Sequence, residues 1–395
     1  MELSKKAKEI SSSVTLEITA KAKKMKEEGI DVISFGAGEP DFNTPINIQN
    51  AAIEAIKKGL TRYTAASGIL ELKQAICNKL KEENGLHYDP SQIVISNGAK
   101  HSIYNALQAI CNPGDEVIVP IPFWVSYPEL VKLVDAKPVY VKTSEENDFK
   151  YTKEALESAI SNKTKAIILN SPNNPTGTVY DIKELEYIAE LAIKYDLLII
   201  SDEIYEKLVY DNKKHVSIAS LGNEIKERTI VINGVSKAYS MTGWRIGYTA
   251  SNKEIAKLMS NLQSHQTSNP NTIAQYASIE AIKGSQDAVE EMKKEFEKRR
   301  NYMVDKINSI EGLSCRKPAG AFYVMVNISK VKGKNIKGYV INNSIDFCNA
   351  LLEYAKVAAI PGKGFGDDDF IRLSYATSME NIVEGLNRIE NFLKQ

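Results

Sequence analysis

The chain has 395 residues, with 50 lysines and arginines against 50 aspartates and glutamates, and 43% of its residues are hydrophobic. The balanced charge excludes a strongly basic nucleic-acid binder, and the apolar content without net charge excludes a disordered chain. The sequence contains no apolar run of about 18 residues, the length that a membrane span needs. We therefore expect a globular protein of two or three domains that binds neither nucleic acid nor membrane.

The four cysteines, Cys77, Cys111, Cys315 and Cys348, are scattered along the chain. Their spacing suits neither a zinc site nor a disulfide framework, and the four histidines form no H-E-x-x-H motif. We therefore expect free thiols and no metal. The first residues, MELSKKAKEISSS, contain no apolar segment typical of a secretory signal, so we expect a cytoplasmic location.

The periodic, charge-rich stretch 15–28 is expected to belong with a smaller domain formed by the last third of the chain, or to bridge to it. After this stretch, helices and short apolar strands alternate along the middle of the chain. The predicted helices cover about 100–111 and 181–195, and the predicted strands cover 116–120, 138–142, 166–170, 197–201 and 229–233. Near-continuous apolar strands separated by helices are typical of a parallel sheet that is covered on both faces. The pattern predicts an α/β domain.

The last third of the chain has a different pattern. A long charged helix is predicted over 286–310 and a terminal helix over 379–393, with strands between them at 321–328, 356–360 and 370–374. This pattern indicates a smaller α+β domain. We predict that residues 1–47 form an N-terminal segment belonging to that small domain, that 48–283 form the large domain, and that 284–395 form the small one.

Polar segments follow three of the predicted strands. SPNNPTG comes after the strand at 166–170, SDEIY includes the end of the next strand, and SKAYSMTGWRIGY follows the third. The carboxyl ends of parallel strands meet at one edge of a sheet, where ligands of such domains bind. Taken singly, Asp202 is typical of a helix N-cap and Lys237 of a surface charge. The chain lacks the G-x-S-x-G motif, so a hydrolase has no support.

Taken together, these segments are far more specific. With RLSYATS, and with GAGEPDFNTP, YTAASG, SNGAK and PFWVSYPE nearer the start, they span most of the chain in a fixed order. The chain resembles the class I (fold-type I) pyridoxal-phosphate-dependent aminotransferases, in their bacterial aspartate aminotransferase-like branch. The resemblance implies a three-layer, mostly parallel large domain with a smaller α+β domain. It also implies a pyridoxal 5'-phosphate cofactor, and a homodimer with shared active sites.

The resemblance assigns residues to the ring of the cofactor. Lys237 matches the catalytic lysine that forms the Schiff base, and burial near another cation would lower its pKa. Asp202 matches the carboxylate that pairs with the ring nitrogen. Asn174 and Tyr205 match the pair that hydrogen-bonds the phenolic oxygen, and Trp124 matches the residue that stacks on the ring.

The resemblance also assigns a phosphate site. Gly98, Ala99 and Lys100 open a predicted helix, and a helix N-terminus suits an anion. Arg245 matches the phosphate-binding arginine, and Ser236 adds a hydroxyl. Tyr63 resembles the tyrosine that reaches the phosphate of the neighbouring subunit.

For the substrate, Arg372 resembles the arginine that binds the α-carboxylate, which a planar guanidinium suits well. Gly38 is expected to offer a main-chain N–H to the same group, and Trp124 and Asn174 to line the substrate site. The region 261–275, where other members of the family carry an arginine for the distal carboxylate, holds no arginine in this chain. In the branch that this chain resembles, a lysine that matches Lys100 binds the distal carboxylate instead.

We therefore expect a ping-pong transamination between aspartate and a 2-oxo acid such as 2-oxoglutarate or oxaloacetate. Prephenate or arogenate, alanine and aromatic amino acids stay open as substrates, as does another fold-type I reaction such as C–S lysis. A DNA-binding regulator with a domain of this kind is disfavoured, because GAGEPDF begins at Gly36 and leaves no room for a preceding helix-turn-helix. The resemblance also predicts cis peptide bonds at Ile121–Pro122 and Asn174–Pro175, against a background rate of about 5–6%.

Overall fold

The computed structural model of the protein describes residues 2–11 and 14–395. Its α-helices, in chain order, are α1 (Lys5–Glu9), α2 (Val14–Glu27), α3 (Ile46–Lys57), α4 (Leu70–Asn84), α5 (Ala99–Ile110), α6 (Ser126–Leu133), α7 (Lys153–Ser158), α8 (Ile182–Lys194), α9 (Asn223–Arg228), α10 (Lys253–Gln266), α11 (Thr272–Lys283), α12 (Asp287–Ser309), α13 (Ser344–Ala350) and α14 (Met379–Leu393). Its strands are β1 (Ile33–Ser34), β2 (Ile93–Ser96), β3 (Glu116–Ile121), β4 (Lys137–Lys142), β5 (Thr164–Asn170), β6 (Leu198–Asp202), β7 (Thr229–Gly234), β8 (Gly247–Ala250), β9 (Ser314–Cys315), β10 (Tyr323–Asn327), β11 (Asn335–Ile336), β12 (Tyr339–Val340), β13 (Val357–Ala358), β14 (Ile360–Pro361) and β15 (Phe370–Ser374).

The largest sheet has seven strands in the order β2-β8-β7-β6-β5-β3-β4. Strand β8 runs antiparallel to both of its neighbours, and the other neighbouring pairs are parallel. Successive side chains of a strand point to opposite faces. Accordingly, Ile167 and Ile199 join one apolar cluster with α8, and Ile168 and Ile200 join another with α5 and α10. Helices therefore cover both faces, and the predicted three-layer, mostly parallel arrangement is confirmed.

A second, antiparallel sheet has the order β14-β15-β10-β9 and packs with α12 and α14. The N-terminal segment joins this region, because β1 pairs with β13 in parallel and Phe35 is fully buried in the same apolar cluster. The predicted smaller α+β unit is confirmed in these elements. The division into 1–47, 48–283 and 284–395 stays a prediction.

Most predicted elements match the structure to within a few residues, and α14 and β15 match to the residue. The single strand predicted over 356–360 is wrong. The chain there makes two short strands on either side of Ala359, and β13 pairs with β1 whereas β14 pairs with β15. A continuous apolar run gave no signal for this change of partner, because both strands are buried.

Several smaller predictions can be compared with the structure. The peptide bonds Ile121–Pro122 and Asn174–Pro175 are cis as predicted, and Ser171–Pro172 is a third cis bond that was not predicted. All four cysteines are free thiols. Among the residues that the structure describes, no helix is both long and apolar enough to cross a membrane.

Candidate active site

A cavity of about 560 Å³ opens at the carboxyl ends of β5, β6 and β7 and is bounded on its other side by Tyr323 and Arg372 of the second sheet. Most of the predicted site residues line it. They are Gly38, Ala99, Lys100, Trp124, Asn174, Asp202, Tyr205, Ser236, Lys237, Arg245 and Arg372. Segments that are far apart in the sequence thus meet where the rule for parallel sheets places a ligand.

Lys237 lies after β7, and its Nζ donates a hydrogen bond of 2.6 Å to the carbonyl oxygen of Gly38. Burial lowers the pKa of Lys237 to about 8, with the Arg245 and Arg372 guanidiniums adding to the effect and Glu39 opposing it. The predicted direction of this shift is confirmed. An amine with this pKa is partly neutral near neutral pH and can act as a nucleophile or a base.

Asp202 ends β6 and is almost fully buried. Burial raises the pKa of its carboxyl to about 6, although the Tyr127 hydroxyl, the Ile204 N–H and Lys237 all favour the anion. The Tyr127 hydroxyl donates to Oδ2 at 2.6 Å, and the Ile204 N–H donates to Oδ1 at 3.2 Å. The carboxylate is therefore held by two donors and retains capacity for a cationic partner in the cavity.

The N-terminus of α5 forms the second end of the cavity. Gly98 has φ +86°, and a Cβ there would lie 2.3 Å from Arg245 Nη2. Arg245 itself has φ +58° and donates to the carbonyls of Thr242 at 2.9 Å and Asn97 at 3.3 Å. The guanidinium thus packs directly on the first turn of the helix, where main-chain N–H groups and a cation combine to attract an anion.

Arg372 lies on β15 and is almost fully buried. Its guanidinium donates to Asn174 Oδ1 at 2.9 Å and to the carbonyl of Gly36 at 3.2 Å. Its Nε is buried and has no hydrogen-bond partner among the described residues. A buried donor without a partner is costly, so the position suits an anionic ligand that the guanidinium would complete.

Trp124 forms an aromatic wall of the cavity. Its ring packs edge-on against Tyr127, with centroids 5.2 Å apart. The Lys100 ammonium lies 5.0 Å from the Trp124 ring centroid, and burial together with the Arg245 charge lowers the pKa of Lys100. Lys100 is therefore a cation that gains from an anionic partner.

Two further predicted residues lie outside the lining. Gly98 contributes through its contact with Arg245. Tyr63 is 89% exposed and does not line the cavity of its own chain. Its expected contact is with another subunit, so this prediction belongs with the proposed assembly.

Tyr127, Tyr323, Glu39 and Thr242 also line the cavity and were not predicted from the sequence. Tyr127 had an available signal, because it follows Trp124 by three residues, and its main-chain N–H donates to the Trp124 carbonyl at 2.9 Å in the turn that leads into α6. Glu39 lies in the quoted GAGEPDF segment and accepts a hydrogen bond of 2.6 Å from the Thr242 hydroxyl. Tyr323 had no local signal, since only the pairing of β10 with β15 brings it to the cavity.

A cluster of charged side chains lies behind the β6 end of the cavity. Glu203, Glu206 and His215 bring ligand-type atoms within 4.8 Å of one another. The Lys79 ammonium, itself almost fully buried, forms an ion pair with Glu206. His215 Nε2 lies within hydrogen-bond distance of Glu203 Oε2, at 3.0 Å. Each carboxylate in the cluster therefore already has a neighbouring basic group.

The fold and the cavity define the class of protein. One cavity brings together a lysine with a lowered pKa, a buried carboxylate, a helix N-terminus that carries an arginine, and a second arginine suited to a carboxylate. This set fits an enzyme that transfers amino groups between amino acids and 2-oxo acids. A family model described as aminotransferase class I and II matches residues 30–389. The chain belongs to this family and is an aminotransferase.

Individual relatives cover the whole chain. An aspartate aminotransferase from Bacillus sp. (strain YM-2) is 53% identical over 393 residues, which are 99% of each chain. An aspartate/prephenate aminotransferase from Nitrosomonas europaea is 45% identical over 396 residues, covering 100% of both. The crystal structure of the aspartate aminotransferase from Rhizobium meliloti superposes with a TM-score of 0.97 at 43% identity, covering 100% of this chain and 99% of that one.

Proposed function

We propose that this aminotransferase uses pyridoxal 5'-phosphate, takes aspartate as its amino donor and passes the amino group to a 2-oxo acid such as 2-oxoglutarate or oxaloacetate in a ping-pong reaction. The observation that carries the proposal is the placement of Lys237, Asp202 and Arg245 around one cavity, between an aromatic wall and a buried arginine. The names of the relatives support the choice of aspartate.

The residues fit the cofactor at each of its polar groups. Arg245, the main chain of Gly98 and Ala99, and the Ser236 hydroxyl would hold the phosphate. Asp202 would pair with the ring nitrogen, for which an anion with two existing donors is suited.

Three more residues would complete the contacts with the ring. Asn174 and Tyr205 would bond the phenolic oxygen, and the Trp124 ring would cover one face. Lys237 would attach the cofactor covalently. This donor set matches a ring that carries one anionic arm and one basic nitrogen.

When bound, the cofactor accepts the electron pair that stays at the substrate Cα as the proton leaves. Lys237 Nζ is the base for that proton, because its lowered pKa of about 8 leaves part of it neutral at neutral pH. The carbonyl of Gly38 holds Nζ at 2.6 Å and gives the amine a defined position beside the cavity. Once Lys237 has taken up this proton, the same side chain would be able to give it back later in the reaction.

The substrate would be held at both ends. Arg372 would bind the α-carboxylate with the donors that include its unpartnered Nε, and the Gly38 N–H would assist it. Trp124 and Asn174 would line the substrate site, and Asn174 Oδ1 already orients the Arg372 guanidinium. Lys100 would pair with the distal carboxylate, which favours a dicarboxylic substrate.

Prephenate is the second candidate substrate, because it also carries a second carboxylate. The name of the Nitrosomonas europaea relative, aspartate/prephenate aminotransferase, favours it specifically. Both substrates would use Arg372 and Lys100, so the two activities are compatible in one cavity.

We also propose a homodimer with shared active sites. Several large apolar side chains on α3, on α4 and between them are exposed in the single chain: Ile46, Ile53, Ile56, Tyr63 and Leu70. A concentration of large exposed apolar side chains in one stretch of the chain supports a protein interface there. Tyr63 lies within it and would reach the phosphate of the partner's site. The free thiols suit a reducing compartment such as the cytoplasm.

Rapid-mixing half-reactions test the function. The absorbance of the cofactor-loaded enzyme is followed after aspartate, glutamate, arogenate, alanine or tyrosine is added, and the 2-oxo acid formed is measured. We expect aspartate to react fastest and to give one 2-oxo acid for each cofactor converted. Release of ammonia with the cofactor unchanged would instead indicate an elimination enzyme.

Two variants provide the controls. Lys237→Ala should bind cofactor without covalent attachment and lose nearly all turnover, and wild-type turnover in this variant would refute the assignment. Arg372→Lys should lower kcat/KM for every amino acid by about 10²-fold or more, because a point charge replaces a bidentate fork.

A further inference from the structure

Tyr323 is a buried tyrosine at the cavity wall to which the proposed chemistry assigns no part. It is the first residue of β10 and is fully buried. It pairs with Ser374 on β15, two residues from Arg372 in that strand. Its side chain therefore comes from the second sheet and meets residues of the large sheet across the cavity.

The Tyr323 hydroxyl contacts the Tyr205 hydroxyl at 2.9 Å, and the two rings meet edge-on at 82°. Burial raises the pKa of both phenols, so both remain protonated at working pH. A hydroxyl has only one proton to donate. If Tyr205 donates its proton into the cavity, Tyr323 is the donor in the bond between the two tyrosines.

The ring of Tyr323 makes a second, separate contact. The Arg372 guanidinium carbon lies 4.3 Å from the centroid of that ring, within the range of a cation–π interaction. Phe365 lies 5.0 Å from the same guanidinium carbon, so aromatic rings and the acceptors Asn174 and Gly36 surround the cation. The ring thus restricts the orientation of the arginine in the absence of a substrate.

We propose that Tyr323 is a positioning residue for two different steps, orienting the Tyr205 hydroxyl through its own hydroxyl and the Arg372 guanidinium through its ring. The proposal rests on the proposed function, in which Tyr205 meets the cofactor and Arg372 meets the α-carboxylate. Because the two contacts use different parts of one side chain, substitutions separate them.

Tyr323→Phe removes the hydroxyl and keeps the ring. We expect the apoenzyme to bind pyridoxal 5'-phosphate about three- to tenfold more weakly, since one neutral hydrogen bond to Tyr205 is lost. The pH midpoint of the cofactor absorbance should shift and kcat should fall, while KM for aspartate and the dissociation constant of the non-reacting dicarboxylate maleate stay within twofold of wild type.

Tyr323→Leu removes the ring as well. We expect the additional effect to fall on carboxylate binding, with about a tenfold or greater increase in the dissociation constant for maleate. Tyr375→Phe is the matched control. It removes the hydroxyl of another fully buried tyrosine, whose hydroxyl donates to the Ala321 carbonyl at 3.1 Å, and it should leave the absorbance midpoint and maleate binding unchanged.

A double-mutant cycle decides the route of action. In a Tyr205→Phe background, Tyr323→Phe should change the cofactor affinity by less than about 1.5-fold. It should change the absorbance midpoint by less than about 0.1 pH unit. Both limits are on the order of the experimental error of a coupling measurement. Full, additive effects in that background would overturn the proposal, as would a Tyr323→Phe enzyme identical to wild type. Failure of the proposed function is distinguishable, because the wild-type protein itself would then show no cofactor absorbance change with aspartate.

Discussion

The hydroxyl of Tyr127 donates a 2.6 Å hydrogen bond to Oδ2 of Asp202, and both side chains are buried at the end of β6. A hydrogen bond to the charged form of an acid lowers its pKa. The bond therefore counteracts the burial that raises the pKa of Asp202 to about 6. Tyr127 therefore acts on the site by favouring the charged form of Asp202.

Tyr127→Phe tests this relationship. We expect the pKa of Asp202 to rise by about 1–2 units, the equivalent of one charge-assisted hydrogen bond. A neutral carboxyl cannot pair with a pyridinium. In the wild type we therefore expect the affinity of the apoenzyme for the cofactor to fall below pH about 6, and in the variant we expect this fall to begin at a higher pH. Titration of cofactor binding by fluorescence at a series of pH values measures the midpoint.

The control is Tyr151→Phe, which removes the hydroxyl of another fully buried tyrosine, bonded to the Ile168 carbonyl at 3.0 Å. Its midpoint should equal that of the wild type. An unchanged midpoint in Tyr127→Phe would show that Asp202 keeps its charge by other means.

Lys100→Ala should separate dicarboxylic from monocarboxylic substrates. The ammonium lies over Trp124 at the cavity and would meet the distal carboxylate. We expect KM for aspartate to rise by about ten- to 100-fold, the effect of losing a charge-assisted hydrogen bond, and KM for alanine to change less than threefold. Steady-state kinetics with both donors measure the difference, and alanine is the internal control. Equal changes for both substrates would contradict the assignment.

Gly98→Ala should weaken phosphate binding. The added Cβ would lie 2.3 Å from Arg245 Nη2, and the residue has a φ of +86° that alanine adopts poorly. We expect at least about a tenfold loss of cofactor affinity, since the guanidinium must move from the first turn of α5. The affinity of the apoenzyme for inorganic phosphate, measured by its competition with the cofactor, should fall in parallel.

Gly243→Ala is the matched control in the Arg245 loop, because a Cβ there meets nothing within 4 Å. It should bind cofactor as the wild type does. Normal cofactor affinity in Gly98→Ala would mean that the arginine can move without loss of the phosphate site.

The buried pair of Lys79 and Glu206 should dominate acid stability in this part of the fold. Burial would raise the pKa of Glu206, but Lys79, His215 and Asn84 lower it to about 2. The carboxylate therefore stabilises the folded state above its ordinary pKa near 4.5, and that contribution is lost as pH falls from about 4.5 to about 2.

Lys79→Met leaves the buried carboxylate without its cation. We expect a loss of about 3–5 kcal/mol in the free energy of unfolding at pH 7, and partial recovery when Glu206→Gln is added. Urea denaturation from pH 7 to pH 3 measures both effects. Lys194→Met breaks the exposed pair with Glu157 and should change stability little. Equal losses in the two lysine variants would contradict the role of burial.

The sequence allowed the large sheet, its edge and most of the cavity lining to be predicted, because apolar strands and the motifs after them are local signals. Asp202, Lys237 and Arg245 lie in short segments that carry their own pattern. Tyr323 lies in a strand whose partner is set by tertiary pairing, so no local pattern could place it at the cavity.

The strand predicted over 356–360 failed for a related reason. Its residues after Lys356 are all apolar, and the exchange of partners at Ala359 depends on where β1 and β15 lie in space. The charged cluster at Glu206 was missed because its Lys79 partner comes from α4, far away in the sequence.

Arg372 donates to the carbonyl of Gly36, a residue 336 positions earlier in the chain. On a ribosome, the N-terminal segment is therefore made long before β15 exists, whereas the strands bearing Asp202 and Lys237 emerge between them. Domains generally fold as units during synthesis. The part of the cavity that would bind the proposed cofactor can thus form before the part that would bind the α-carboxylate of the substrate. Of the residues proposed to meet the cofactor or the substrate, Arg372 is synthesised last, so the proposed α-carboxylate site is the last part of the cavity to be completed.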